Sequence, residues 1–372
     1  MPASKTTPPK SKKKPAPSTR SGRALSGKVQ TVLGPIDPSE LGITLMHEHL
    51  VISLEAYSSV AEDASTRHYA EMPIKMENLG KHAARRYFTF VDVKMYDVRE
   101  ATEEVLKFKH AGGGSLVDTT SQGIGRDPLA LARISRATGL NIVMGASWYV
   151  PIFHPADMDK WTEDQIAKQI IGDVTVGVKD TGIKSGIIGE VGNFYPMSPN
   201  ERKILRASAM AQVETGAPIT IHPGFDERSP MQILETLVKA GADPKHVVIG
   251  HLCSVLRDRG AIRELAQSGC YMEYDGLGSF EDTSHIYRGM TDTVISDVQR
   301  MDILDFLAGN GHIKQILPCH DVCLLTHFTR YGGRGYAFLL ESIVPRLRKR
   351  GWTEAQLQTI LVDNPARALT FA

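Results

Sequence analysis

Ile43-Thr44-Leu45-Met46-His47-Glu48-His49 carries an apolar run straight into a His-x-His. Successive side chains of a strand alternate faces, so residues two apart project together, and two imidazoles so placed can hold one metal ion from a rigid support. The tripeptide alone is a weak signal. Four later apolar runs strengthen it, because each also ends in a possible ligand: Gly186-Ile187-Ile188-Gly189-Glu190, Pro218-Ile219-Thr220-Ile221-His222, Val247-Val248-Ile249-Gly250-His251 and Gln315-Ile316-Leu317-Pro318-Cys319-His320-Asp321. Each is short, mostly aliphatic and bounded by Gly or Pro, the pattern of a strand buried on both faces. Residues 116–119, 141–146 and 271–275 read the same way, which makes eight strands. Helix-period stretches separate most of them. The alternation predicts parallel strands with helical crossovers and, at eight units, an α/β fold of the (β/α)8 TIM barrel type. The fourth crossover shows its start: Ser198 as N-cap, Pro199 at the first helical position and Glu201 three after the cap, with Ile204, Leu205 and Met210 at helical spacing. Another opens at Ser229-Pro230. A doubly wound open sheet shares the alternation but would not gather five strand ends around one mouth.

At 372 residues the chain exceeds the roughly 250 of a bare barrel. The surplus falls in an N-terminal tail, in residues 51–99 and beyond residue 352. No apolar run approaches the roughly 18 residues needed to span a bilayer, and no signal-peptide stretch opens the chain. The cysteines Cys253, Cys270, Cys319 and Cys323 have no framework spacing, which leads us to expect a reducing, cytoplasmic setting. The tail carries Lys5, Lys10, Lys12, Lys13, Lys14, Arg20 and Arg23 among Pro, Ser and Thr, with no acid. We therefore expect residues 1–26 to be a disordered leader and 27–372 a single domain. The whole chain is +1, so these seven cations leave six excess negatives on the remainder. Nothing in that remainder resembles a nucleic-acid module.

His47, His49, Glu190, His222, His251 and Asp321 fall at or just past the expected carboxyl ends of strands one, four, five, six and eight, the face where barrel enzymes place their sites. Four imidazoles and two carboxylates suit zinc, and also manganese, cobalt or iron. One ion would leave ligands over. Two divalent ions match the set, with Glu190 bridging them. A structural zinc site would draw four ligands, often closely spaced cysteines. His320 and Cys319 adjoin Asp321, but alternation turns His320 to another face, toward support or packing. Cys253 has no evident base. His68, His82, His110, His154, His246, His285, His312 and His327 read as loop or helix residues, mostly on the surface, and Gly112-Gly113-Gly114 as a helix terminus.

Further motifs run in order along the chain: Gly27-Lys28-Val29-Gln30-Thr31-Val32-Leu33-Gly34, Leu45-Met46-His47-Glu48-His49-Leu50, Gly186-Ile187-Ile188-Gly189-Glu190-Val191-Gly192, Ile221-His222-Pro223-Gly224, Gly269-Cys270-Tyr271-Met272-Glu273-Tyr274-Asp275, Tyr331-Gly332-Gly333-Arg334-Gly335-Tyr336 and Asn364-Pro365. From Gly27 onward the sequence resembles the phosphotriesterase-related proteins of the amidohydrolase superfamily. That resemblance implies that His47, His49 and Asp321 bind the more buried metal, that His222 and His251 bind the more exposed one, and that Glu190 bridges. Phosphotriesterases and related lactonases bridge with a carbamylated lysine where this chain has Glu190, so carbon dioxide would not be needed for metal loading. The lactonases also carry an arginine after the seventh-strand aspartate, where Asp275 is here followed by Gly276. The branch resembled includes hydrolases of N-acetyltaurine and similar acylated amino compounds, and a homodimer would accord with it.

The expected chemistry is attack on an amide carbonyl by a hydroxide bridging the ions, with Asp321 taking the proton and passing it to the leaving amine. The substrate would be a small N-acylated amino acid or aminosulfonate. Esters, lactones or phosphotriesters are the alternatives on the same site, and a silent ligand-binding protein is a third. A sulfonate or carboxylate would want a cation, for which Arg288, Arg330 and Arg334 are the candidates.

Overall fold

Eight short strands follow one another in sequence order: β1 (Thr44–Glu48), β2 (Ser115–Asp118), β3 (Asn141–Ala146), β4 (Ile187–Gly192), β5 (Ile219–His222), β6 (Val247–Ile249), β7 (Tyr271–Tyr274) and β8 (Ile316–Pro318). Each pairs in parallel with the next. The seam between β8 and β1 closes just beyond the strand ends, where the Asp321 N–H donates to the His47 carbonyl and the His49 N–H to the Val322 carbonyl, both at 3.2 Å. The protein is thus a parallel barrel in this computed structural model, which describes residues 25–58, 64, 65, 67–83, 89–279 and 295–372. Nearly all of the expected tail lies outside the described residues, as do His285 and Arg288.

The crossovers are α1 (Val98–His110), α2 (Pro128–Thr138), α3 (Glu163–Thr175), α4 (Pro199–Thr215), α5 (Ser229–Lys239), α6 (Arg259–Gln267) and α7 (Asp297–Gly309); α8 (Val344–Lys349) follows β8. They start where the caps say. Asp97 accepts from the N–H groups of Arg99 and Glu100, and Asp127 from those of Leu129 and Ala130. Ser198 and Glu201 form the expected reciprocal box at α4. α5 opens at Ser229-Pro230 as expected, with Arg228 in the cap position making no side-chain cap bond, and the Ser229 hydroxyl accepts from the Gly224 N–H at 2.9 Å. That bond ties the chain just after His222. The helices cover the outer face of the sheet and side chains fill its interior, which explains why the strands are aliphatic throughout rather than alternating.

An antiparallel hairpin, Val29–Thr31 with Gly34–Ile36, covers the opposite end. Its Val32 N–H donates to the Ile142 carbonyl near the start of β3 at 2.8 Å, and Lys28 and Phe371 join the two ends of the described chain. The amino ends of the strands are thereby plugged, and the carboxyl ends are left for chemistry. Tight spacing between strands is visible at Gly145, where a Cβ would run into the Gly189 carbonyl and reach 3.3 Å from Thr119. We expect Gly145→Ala to destabilise the fold by about 1–3 kcal/mol through overpacking, read as a lowered urea midpoint. An unchanged midpoint would contradict this packing.

Candidate metal centre

His47 lies within β1 and His49 just past it; Glu190 lies within β4 and His222 ends β5; His251 and Asp321 follow β6 and β8. All six side chains meet at the carboxyl mouth. The Glu190 carboxylate stands at the middle. One oxygen, Oε1, is 3.5 Å from His49 Nε2. The other, Oε2, lies 3.2 Å from His222 Nδ1, 3.3 Å from His251 Nε2 and 3.5 Å from His47 Nε2. Asp321 Oδ1 is 3.4 Å from His49 Nε2 and 4.0 Å from His47 Nε2, and Oδ2 is 4.0 Å from His251 Nδ1. Donor atoms roughly 2.0–2.2 Å from a tetrahedral ion stand roughly 3.3–3.6 Å apart, so these separations fit shared ions better than direct hydrogen bonds. His47 Nε2 and Asp321 Oδ1 are buried without a hydrogen-bond partner among the described residues. Leaving such atoms bare would cost about 1–3 kcal/mol each, and a cation between them removes that cost. The Asp321 side chain is 26% exposed against 9% or less for the other five, so the centre opens beside it.

The free ring nitrogens are held from behind. His47 Nδ1 donates to Glu273 Oε2 at 2.8 Å, and His251 Nδ1 to Asp275 Oδ1 at 3.0 Å. His49 Nδ1 meets the Thr120 hydroxyl at 2.8 Å. Glu273 and Asp275, two apart on and just past β7, therefore back one imidazole from each half of the site. His251 and Asp321 have φ of +53° and +60°, strained values for residues with a Cβ. Specific bonds hold both: the His251 N–H donates to Asp275 Oδ2 at 2.7 Å, and Glu48 brackets Asp321. Glu48 Oε1 accepts from the His320 N–H (3.1 Å) and ring Nδ1–H (2.7 Å), while Oε2 accepts from the Val322 N–H (2.8 Å). His320 Nε2 accepts from the Leu339 N–H at 2.8 Å. Both ring nitrogens of His320 are thus engaged away from the six candidate ligands, the supporting place its alternation suggests. Cys319 is buried, and burial pushes its thiol well up.

Charge follows the same geometry. Burial works against protonating His47, but Glu190 and Glu273 outweigh it and hold it well above the ordinary histidine range. His251 is raised against burial by Asp275 and Glu190. Burial would raise Glu190, yet His47, His222 and His251 hold it well below the usual carboxylate range, and His49, His251 and His47 do the same for Asp321. His222 is lowered by burial and by its neighbour His251. The metal-free site is a cage of opposite charges around a space, and the donor set suits borderline and hard divalent ions.

A family model described as the phosphotriesterase family matches residues 27–369. The chain belongs to the phosphotriesterase family. Among relatives of this family member, the N-acetyltaurine hydrolase of Salmo salar is 40% identical over 350 residues, 94% of this chain and 99% of that one. Among solved structures, a resiniferatoxin-binding protein from Rhodobacter sphaeroides superposes with a TM-score of 0.88 at 36% identity, over 92% of this chain and 95% of that one. A lactonase from Listeria monocytogenes does so with a TM-score of 0.73 at 25% identity, over 93% and 99%.

Several residues of this phosphotriesterase-family site escape sequence reasoning. Glu48 lies inside the His-x-His and Glu273 inside a quoted motif, yet neither has a partner that sequence distance reveals. Tyr149, after β3, stacks edge-on to His222 with ring centroids 4.8 Å apart, and Phe225 (5.7 Å) meets the same imidazole. Tyr57 and Phe153 extend this aromatic wall. His154, expected on the surface, is half-buried and bonds the Tyr149 carbonyl at 2.7 Å, and His82 is buried. Of the arginines, Arg330 is exposed and faces Glu100 and Glu103 on α1.

Two outcomes follow for this centre. Glu48→Ala leaves three buried N–H groups without their acceptor, so it should lower stability by at least about 3 kcal/mol and reduce retained metal. Denaturation midpoints and elemental analysis read both, and no change in either contradicts the clamp. Because His47 and His251 are raised in the metal-free chain, they carry protons at pH 7 that an ion must displace. Calorimetry in buffers of different ionisation enthalpy should show roughly two protons released on loading at pH 7. Affinity should fall as pH drops below those raised values, and release of none at pH 7 would contradict the charge assignment.

Proposed function

We propose that this chain is a binuclear metal-dependent hydrolase that cleaves the amide bond of a small N-acylated amino acid or aminosulfonate. The observation that carries the reading is the set of six donors gathered around Glu190, whose two oxygens face different imidazoles. In this reading His47, His49 and Asp321 would hold one divalent ion and His222 and His251 the other, with Glu190 shared between them; zinc is the first choice, with manganese, cobalt or iron also matching the donors. Bound there, such ions supply an activated water and a Lewis acid for a carbonyl oxygen. The 40% identity to an N-acetyltaurine hydrolase across nearly the whole chain supports an amide over a phosphotriester. The four cysteines, all free, support a reducing, cytoplasmic setting.

The chain's own residues do the rest. Asp321 is kept ionised by the surrounding imidazoles, and its place at the open side of the centre would let it take a proton from water and return it to the departing nitrogen. An amide needs that proton because, without it, the nitrogen would have to leave as a strongly basic anion. The side chains of Tyr149, Phe153 and Tyr57 offer an aromatic wall beside His222 for a short acyl group, with the Tyr149 hydroxyl 3.3 Å from His222 Nδ1. Glu273, Asp275 and Thr120 keep the imidazoles oriented between turnovers.

The likeness to a resiniferatoxin-binding protein favours a second reading, a binding role without turnover. A hydrolysis screen of N-acetyl amino compounds, lactones and paraoxon-type esters separates the two. We expect cleavage of the N-acetyl compounds, whereas exclusive cleavage of the phosphotriester, or of nothing in a metal-loaded preparation, contradicts the proposal. Asp321→Asn should lower amide turnover by at least roughly a hundredfold, and wild-type turnover with intact metals in that variant would remove its role.

A further inference from the structure

The motif Tyr331-Gly332-Gly333-Arg334-Gly335-Tyr336 has no part in the centre described above, yet it builds one wall of a cavity of about 320 Å³. Leu79, Leu277 and Gly278 form other walls, and so do His320 and Val322, the residues on either side of Asp321. The lining is mostly apolar or glycine, with Arg334 as its cation. The motif is fixed against the site: the Tyr336 hydroxyl donates to the His49 carbonyl at 2.6 Å. A Cβ at Gly333 would collide with the His327 backbone, so the chain folds back there and delivers Arg334 to the cavity. Its guanidinium lies 4.3 Å from the centroid of the Phe338 ring, a stacked arrangement that limits its rotamers. Gly278 makes the space, since a Cβ there would come within 2.7 Å of Phe338 and 3.1 Å of the Arg334 side chain.

The surroundings add positive charge. Arg300 and Arg346 share the corner, and the carboxylate of Asp297 is taken up with them: Oδ1 accepts from Arg300 Nη1 and the Gly278 N–H, both at 2.9 Å, and Oδ2 faces Arg346 at 3.6 Å. Burial and the two neighbouring arginines lower Arg334 despite Asp297. This is a place that favours a small anion.

We propose that the cavity beside Asp321 is the subsite for the amine half of the substrate, and that Arg334 binds a sulfonate or carboxylate carried on that half. The inference rests on the amide-hydrolase reading in one respect. If Asp321 returns the proton to the leaving nitrogen, the amine half lies on the Asp321 side, where its neighbours His320 and Val322 line this cavity. The acyl half then lies toward His222 and its aromatic wall.

The test compares metal-loaded wild type, Arg334→Gln, Arg334→Lys and the control Arg330→Gln on N-acetyltaurine, N-acetyl-β-alanine and the neutral N-acetylethanolamine. Arg334→Gln should raise KM for the two anionic amides roughly 10- to 100-fold while leaving kcat/KM for the neutral one unchanged. Arg334→Lys should keep part of the preference, and Arg330→Gln all of it. An equal loss on anionic and neutral amides, or no loss on the anionic ones, overturns the subsite. Calorimetry with taurine alone stands apart from turnover. Taurine bound by wild type and lost in Arg334→Gln upholds the subsite even if no amide is hydrolysed, in which case only the amide reading fails. Taurine bound equally by both proteins overturns the subsite. Should Arg334→Gln fail to fold, the same two measurements on Arg334→Lys decide: wild-type KM and wild-type taurine affinity there overturn the role of the planar guanidinium.

Discussion

One carboxylate, Glu48, joins the two ends of the barrel and sets the candidate ligand, Asp321, that the seam carries. Alternation along β1 sends His47 and His49 into the mouth and Glu48 the other way, where it accepts from both backbone N–H groups flanking Asp321 and from the His320 ring. Asp321 itself is held at a φ of +60°, which an isolated chain would not keep. Closing the barrel and aiming Asp321 are therefore the same event. His47 takes part twice, as a ligand candidate through Nε2 and through its carbonyl as acceptor of the Asp321 N–H.

Around that seam the structure concentrates charge it cannot bury cheaply. Glu190 and Asp321 are ionised among four imidazoles, and Glu273 and Asp275 stand behind them on β7. Burial raises Glu273, against the pull of His47. β7 contributes no ligand to the proposed pair of ions, yet it orients one imidazole on each side, so the outer layer is as ordered as the inner one. Positive φ at both His251 and Asp321 indicates that the rigid scaffold, and not local preference, sets the donor positions.

The sequence carries much of this. Eight aliphatic runs gave the strands, the five that end in a candidate ligand gave the mouth, and the Ser198 box gave a helix start, because these signals are local. The candidate ligands were legible because they lie at strand ends, where a repeating pattern exposes them. What stayed hidden depends on partners far along the chain. Glu48 and His320 are 272 positions apart and His47 and Glu273 are 226, and no spacing rule links them. Ser229-Pro230 read as a helix start and is one, but the bond from the Gly224 N–H to the Ser229 hydroxyl has no sequence signal. His82 and His154 read as surface residues but are buried and half-buried, the latter bonded to the Tyr149 carbonyl. Among the arginines, charge alone could not separate Arg330, which pairs on the surface, from Arg334, which the glycine-rich turn carries inward.

The measurement that tests the central claim most directly is the transition-metal content of the purified, active chain by elemental analysis. A cage in which Glu190 joins two sets of donors predicts about two equivalents of divalent metal per chain. A fully active preparation holding less than one equivalent would contradict it.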